Sequence, residues 1–168
     1  ERRGLAVAEG VRLVEEALHA RVPFRGAVVS PALEGTARGA ALKARMLEAG
    51  VRLDDVSVAE LDELAGTEHP QGVVAVIQPR AWTLEDVELT GRSAVLVLDA
   101  VQDPGNVGTM LRTALGLGAA AVVALKGTAD LANPKVLRGS MGAYFRLPCI
   151  MTDTDVFLGW AAERRVGI

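Results

Sequence analysis

The run Ala94-Val-Leu-Val-Leu98 is apolar without a break, and it stops abruptly at Asp99. Five apolar residues without alternation suit a strand covered on both faces, which belongs in a parallel sheet between helices rather than in a half-exposed hairpin. A turn must follow. Pro104 presets its own φ, Gly105 permits a positive φ, and Asn106 suits a helix N-cap. The spacing predicts a helix to about Leu117, with Val107, Met110, Leu111, Ala114 and Gly118 on one face. Arg112 points nearly the opposite way, with Gly108 and Gly116 beside it. Small residues around a lone arginine leave room for a ligand or for another subunit's backbone, and offer the guanidinium as a fixed fork of donors. A merely solvated arginine on an exposed helix face would give the same pattern. The glycines at 105, 108, 116 and 118 do not spell Gly-x-Gly-x-x-Gly, and no Gly-Lys-Ser/Thr of a Walker A loop follows.

The rest of the chain alternates in the same style. A helix is predicted from about Leu5 to Ala20, on the helical spacing of Val7, Val11, Val14 and Leu18, with a strand near Gly26 to Val29. Thr36 caps the next helix, which ends at the C′ glycine Gly50 before a short strand over Val51 to Leu53. Ser57-Val-Ala-Glu60 fits a capping box opening a helix to Ala65, and Gly72 to Ile77 reads as a buried strand. Residues 1–79 thus form a small α/β/α sandwich. Residues 80–91 are polar, contain Trp82, lack a period and read as a linker. Residues 92–168 supply strands near Ala94 to Leu98, Ala120 to Leu125 and Leu147 to Ile150, separated by the Asn106 helix and a helix over Pro134 to Ala143. Asn133-Pro134 is an N-cap and first-turn pair. Ligands of such parallel sheets bind beyond the carboxyl ends of the strands.

Composition narrows the class. No apolar run reaches the roughly 18 residues that span a bilayer. Cys149 is the one cysteine, set in the apolar stretch Leu147 to Met151, and reads as a buried thiol; with only His19 and His69 besides, no metal site is expected. The cytoplasm is the expected compartment. The net charge is −3, yet basic against acidic residues count 9 to 12 over residues 1–79, 1 to 3 over 80–91 and 8 to 6 over 92–168. Any attraction for phosphate in the last segment therefore falls to the placement of Arg112, Lys135, Arg138 and Arg146.

Asn106-Val-Gly108-Thr-Met-Leu-Arg112 resembles the Asn-x-Gly-x-x-x-Arg signature of the SpoU (TrmH-like) branch of the SPOUT RNA methyltransferases. Lys135-Val-Leu-Arg138-Gly-Ser140-Met-Gly142-Ala143-Tyr-Phe-Arg-Leu-Pro148 is similar to the segment after the next strand in the members that methylate ribosomal RNA. Ala8-Glu9-Gly10-Val-Arg-Leu-Val-Glu and His69-Pro-Gln71-Gly72-Val resemble the small substrate-binding domain, itself like ribosomal protein L30e, that precedes the methyltransferase domain. The resemblance implies an α/β chain with an L30e-like α/β/α domain over 1–79 and the first part of a SPOUT α/β-knot domain over 92–168. Arg165-Val-Gly-Ile168 reads as the opening of a further strand. The Gly-x-Glu loop and Ser-Leu-Asn segment, which in SpoU enzymes thread into a trefoil knot and bind S-adenosylmethionine, do not occur in residues 92–168 and are expected beyond Ile168.

The resemblance also implies a reaction: methyl transfer from S-adenosylmethionine to a ribose 2′-hydroxyl of RNA, ribosomal RNA above all, by a homodimer. Arg112 and Asn106 would be the catalytic pair. Arginine is too weakly acidic to be a ready base, so orienting the nucleophile or a phosphate is its expected work, and the base stays unassigned. Asn106 has two competing roles, N-cap or direct contact to the arginine or the ribose. Lys135 and Arg138, three apart on a helix, suit an RNA phosphate or a solvated face; His69 and Gln71 suit RNA contact or plain turn chemistry. The rival readings are a noncatalytic RNA-binding module, tRNA as substrate, and an unrelated nucleotide-binding α/β enzyme.

Overall fold

A computed structural model describes residues 4–66 and 70–168. The chain divides into two units, Glu1–Arg80 and Ala81–Ile168.

The first unit is a four-stranded mixed sheet of β1 (Ala6–Glu9), β2 (Phe24–Val29), β3 (Leu53–Asp55) and β4 (Val73–Ile77), in the order β1-β4-β2-β3. β4 runs antiparallel to β1 and β2, and β2 runs parallel to β3. Ala6, Ala8, Ala27 and Ala75 line one face, where α1 (Val11–His19) packs against β1 and β4 and α2 (Ala37–Glu48) packs beside α1. The other face carries Val7, Val28 and Val76 and meets α3 (Val58–Leu64) at β4. Thr36 accepts from Gly39 N at 3.0 Å, and Ser57 and Glu60 complete the expected capping box.

The segment expected to be one helix from Leu5 divides at Gly10. Ala6–Glu9 is a strand paired with β4, and α1 begins at Val11. Four residues are too few to display a period of two, so Val7 joined the helical register of Val11 and Val14 by coincidence. Gly10 makes the break at φ +84, a value that a side chain would resist.

The second unit contains the parallel sheet β5 (Val95–Leu98), β6 (Ala121–Leu125) and β7 (Cys149–Thr152), in that order. Every residue of the central β6 is buried. Its Val122 and Ala124 pack with Leu98, Val107, Leu111 and Val136 under α4 (Pro104–Gly116) and α5 (Pro134–Ser140). Its Ala121, Val123 and Leu125 pack with Ile150, Phe157 and Trp160 under α6 (Thr154–Glu163).

Three local expectations change. Residues 80–91 are more than connecting chain: Leu84 and Val87 are buried against α6 and β6, and Trp82 packs beside them. Thr83 and Asp86 cap this short turn reciprocally. The helix expected to reach Ala143 stops at Ser140, because Met141 and Gly142 both take positive φ. Residues 166–168 form no strand; Arg165 turns left-handed at φ 54, and Val166 N donates back to Ala161 O at 2.8 Å, closing α6.

Candidate active site

The site begins where β5 ends. Asp103 caps α4, its Oδ1 accepting from Asn106 N at 2.7 Å, with Pro104 in the first turn. The cap is therefore three residues earlier than Asn106. Asn106 sits inside the first turn, exposed, and no hydrogen bond to a described residue holds its side chain. Of its two expected roles, the capping one belongs to Asp103. Gly105 is not a left-handed corner either; the positive φ in this connection is at Ala100, at 52°.

The glycines serve close packing. A Cβ on Gly108 would lie 2.7 Å from Val136 O and 2.8 Å from Gly139 Cα, so α5 presses its backbone directly onto α4. The face expected to stand open for a ligand or a second subunit is occupied at Gly108 by this chain's own α5. Further along the same face, Gly116 meets nothing within 4 Å, and Arg112 is exposed. Gly105, Gly108 and Arg112 form one row of α4, spaced i, i+3 and i+7. Lys135 joins that row from α5, its Cε 3.8 Å from where a Gly105 Cβ would stand. Asn106, six residues before Arg112, projects about 120° around the helix from it.

Two cationic side chains from different helices thus flank one glycine seam. No ion pair or hydrogen bond to a described residue engages the side chain of Arg112 or Lys135. Arg138 differs: it is half-buried and has a partner within the protein. Ser140 is buried, its Oγ donating to Leu137 O at 2.8 Å, which makes it part of the α5 ending.

The floor of the site is tied down. Thr128 Oγ1 donates to Leu98 O at 3.0 Å and Ala129 N donates to Val101 O at 2.9 Å, stitching the loop after β6 to the loop after β5. Behind α5, burial pushes Tyr144 up to about 12 and Cys149 up to about 12, so both stay protonated at neutral pH. Neither supplies a ready base. Among the described residues no group of three or more His, Cys, Asp and Glu could hold a metal ion.

Gln71, in the first unit, takes φ 55 and accepts from Val11 N through Oε1 at 3.2 Å. His69 lies outside the described residues. Asp103 is the residue that sequence reasoning missed, although Asp103-Pro104 is the same cap-and-proline pair as Asn133-Pro134.

Residues 93–166 match the SpoU rRNA Methylase family, and residues 7–82 match the family described as RNA 2′-O ribose methyltransferase substrate binding. The chain belongs to the SpoU methylase family. This SpoU chain is 38% identical over 112 residues to 23S rRNA (guanosine(2553)-2′-O)-methyltransferase RlmP of Bacillus subtilis, covering 67% of this chain and 43% of the relative. It is 34% identical over 161 residues to human rRNA methyltransferase 3, mitochondrial, covering 89% of this chain and 36% of that protein. It spans less than half the length of both. Its fold matches the AdoMet-bound rRNA methyltransferase from Sinorhizobium meliloti with a TM-score of 0.79 at 28% identity, over 98% of this chain and 60% of that one. AviRb from Streptomyces viridochromogenes, a SpoU methyltransferase in complex with AdoMet, matches with a TM-score of 0.80 at 27% identity, over 98% and 62%.

An apolar cavity of about 420 Å³ runs between β5 and α4, lined among others by Val95, Leu96, Met110 and Leu117. It does not fit S-adenosylmethionine. Among the described residues its polar lining side chains are Thr109 and Thr113, with no charged group to meet the donor's carboxylate or sulfonium.

Proposed function

We propose that this SpoU chain contributes the RNA-engaging side of a ribose 2′-O-methyltransferase acting on ribosomal RNA, with S-adenosylmethionine as the methyl donor. The observation that carries the reading is the placement of Lys135 at the Gly105 end and Arg112 at the far end of one row of α4, with Asn106 released from capping by Asp103. In-line transfer needs the 2′-oxygen held on a fixed approach, and positioning can supply a large part of such a rate. The Arg112 guanidinium offers a planar fork to the ribose oxygen or the adjoining phosphate, and Lys135 offers a point charge to the next phosphate. Asn106 serves as a hydrogen-bonding contact on the neighbouring face of α4. The proton acceptor is left to a group other than these. Arg138 contributes as a secondary RNA contact through its exposed part.

The first unit is the substrate-binding part, and Gln71 belongs to its RNA-facing surface. The active form is a homodimer, for which Met110 on α4 and Leu117 at its end offer exposed apolar contacts. The compartment is the cytoplasm, in keeping with a single buried thiol; no described helix is long and apolar enough to cross a membrane.

The deciding experiment measures tritiated methyl transfer from S-adenosylmethionine to ribosomal RNA, scored as alkali-resistant product. Arg112→Ala should abolish incorporation while RNA affinity changes only a few-fold. An unaffected rate would remove Arg112 from the chemistry. RNA binding by the wild type without incorporation at any donor concentration would favour the noncatalytic RNA-binding module.

A further inference from the structure

In the first unit, segments far apart in sequence converge on a cavity of about 380 Å³: Val11 and Arg12 at the start of α1, Ala32 after β2, Thr36 and Arg38 at the start of α2, and Gln71 before β4. Among the described residues, two arginines line it and no carboxylate does. Arg12 is exposed and makes no hydrogen bond or ion pair with a described residue. Arg38 is steered from outside the cavity by Glu15, whose Oε2 takes its Nε at 3.0 Å and also its Nη2, leaving Nη1 uncommitted. Glu15 is itself shared with Arg45, at 3.4 Å.

The remaining groups point to the same ligand chemistry. Gln71 uses Oε1 on Val11 N, which leaves its amide N–H groups as donors. Thr36 uses Oγ1 as the acceptor for Gly39 N, which leaves its hydroxyl hydrogen. The wall is firm: Gly72, at φ +79, lies so close to the next segment that a Cβ would stand 2.2 Å from Leu33 N. A cavity built from two guanidinium groups, an amide and a hydroxyl, all with donors to spare, suits an anion rich in acceptor oxygens. A phosphate fits, since its oxygens accept the paired N–H groups of arginine.

We infer that this cavity seats a backbone phosphate of the RNA substrate, with Arg12 and Arg38 as its cationic contacts and Gln71 and Thr36 as neutral donors. The inference rests on the RNA reading above and assigns it a place on the first unit. It gives Gln71 a second task besides holding the start of α1.

The test is fluorescence anisotropy of a labelled ribosomal RNA fragment over a salt series, with wild type, Arg12→Gln, Arg12→Gln/Arg38→Gln and, as a control away from the cavity, Arg52→Gln. Each lost phosphate contact should make the slope of log K against log salt shallower by about 0.7 to 0.9. Because both arginines serve one phosphate, the single variant should lose part of that step, the double variant the whole of it, and the control none. Arg12 has no partner to orphan, so its variant tests the site even if the double variant is unstable. Wild-type slopes in a folded Arg12→Gln protein would overturn the inference while leaving the methyltransferase reading intact. Absence of RNA binding by the wild type would instead overturn the RNA reading itself. Inorganic phosphate serves as a second probe: variants that lose phosphate binding but keep RNA affinity would mark a free-phosphate site and refute the RNA assignment.

Discussion

Gly108→Ala is the perturbation that most directly probes how the site is held. The added methyl would meet Val136 O at 2.7 Å, Gly139 Cα at 2.8 Å and Gly139 C at 2.9 Å, all backbone atoms that no rotamer change can move. α4 and α5 must separate. Overpacking of this kind costs about 1–3 kcal/mol, and rigid backbone neighbours place it toward the upper end. Alanine recovers up to about 1 kcal/mol of helix propensity, which leaves a net loss of roughly 2 kcal/mol. Gly116→Ala is the internal control: it lies on the same helix, with nothing within 4 Å of the new methyl, and only the favourable propensity change applies. The two identical substitutions should therefore shift stability in opposite directions. Urea unfolding followed by tryptophan fluorescence reads the correct unit, because both tryptophans, Trp82 and Trp160, belong to the second. Gly108→Ala at or above wild-type stability would refute the direct contact of the two helices. Moving α5 also displaces Lys135 from the Gly105 end of the row that carries Arg112, so RNA affinity should fall with stability in Gly108→Ala and hold in Gly116→Ala.

Asp103→Ala removes the cap from Asn106 N and should cost about 1 kcal/mol in the same unfolding assay, whereas Asp103→Asn keeps an acceptor and most of that stability. Thr128→Val leaves Leu98 O without its buried donor; a loss of about 1–3 kcal/mol is expected, and a neutral result would mean that the two loops are not joined there. Cys149 gives a pH signature. Burial raises its thiol to about 12 in the folded chain, against about 8.5 when unfolded, so its contribution is complete below the unfolded value and fades as pH rises through that interval. The stability advantage of wild type over Cys149→Ala should then shrink by roughly 1.4 kcal/mol per pH unit above about 8.5, and a pH-independent difference would contradict the burial.

Where the chain follows strong local rules, the sequence is readable. The apolar strands 94–98 and 120–125, the box at Ser57 and the Asn133-Pro134 start each rest on interactions between near neighbours. The misreadings share one cause, that short segments carry too little pattern to compete with a longer neighbour. Ala6–Glu9 runs in sequence straight into the register of the helix that follows it, and Thr83-Leu-Glu-Asp86, though its form matches Ser57-Val-Ala-Glu60, opens only a single turn. Asp103 and Asn106 are both plausible caps in sequence, and only the hydrogen-bond geometry chooses between them. Arg12 and Gln71 lie in the two segments that resemble the substrate-binding domain, but their partnership with Arg38 is not legible in sequence, since segments 60 residues apart become neighbours only through the pairing of β4 with β1 and β2.

The roles of the glycines follow from the same distinction between local rule and tertiary contact. In sequence, glycines beside an arginine suggest empty space reserved for something from outside. Gly108 shows that space filled by α5, and that filling is what brings Lys135 to the arginine's row. Asp103 fixes the start of α4, Gly108 fixes its distance from α5, and Thr128 fixes the loops beneath both. With three separate constraints on the backbone, Arg112 and Asn106 can remain free at their tips without being free in position. A site whose side chains are unpaired but whose helices are pinned pays little further ordering entropy when a rigid RNA segment arrives, which is the condition under which positioning can do most for a transfer reaction.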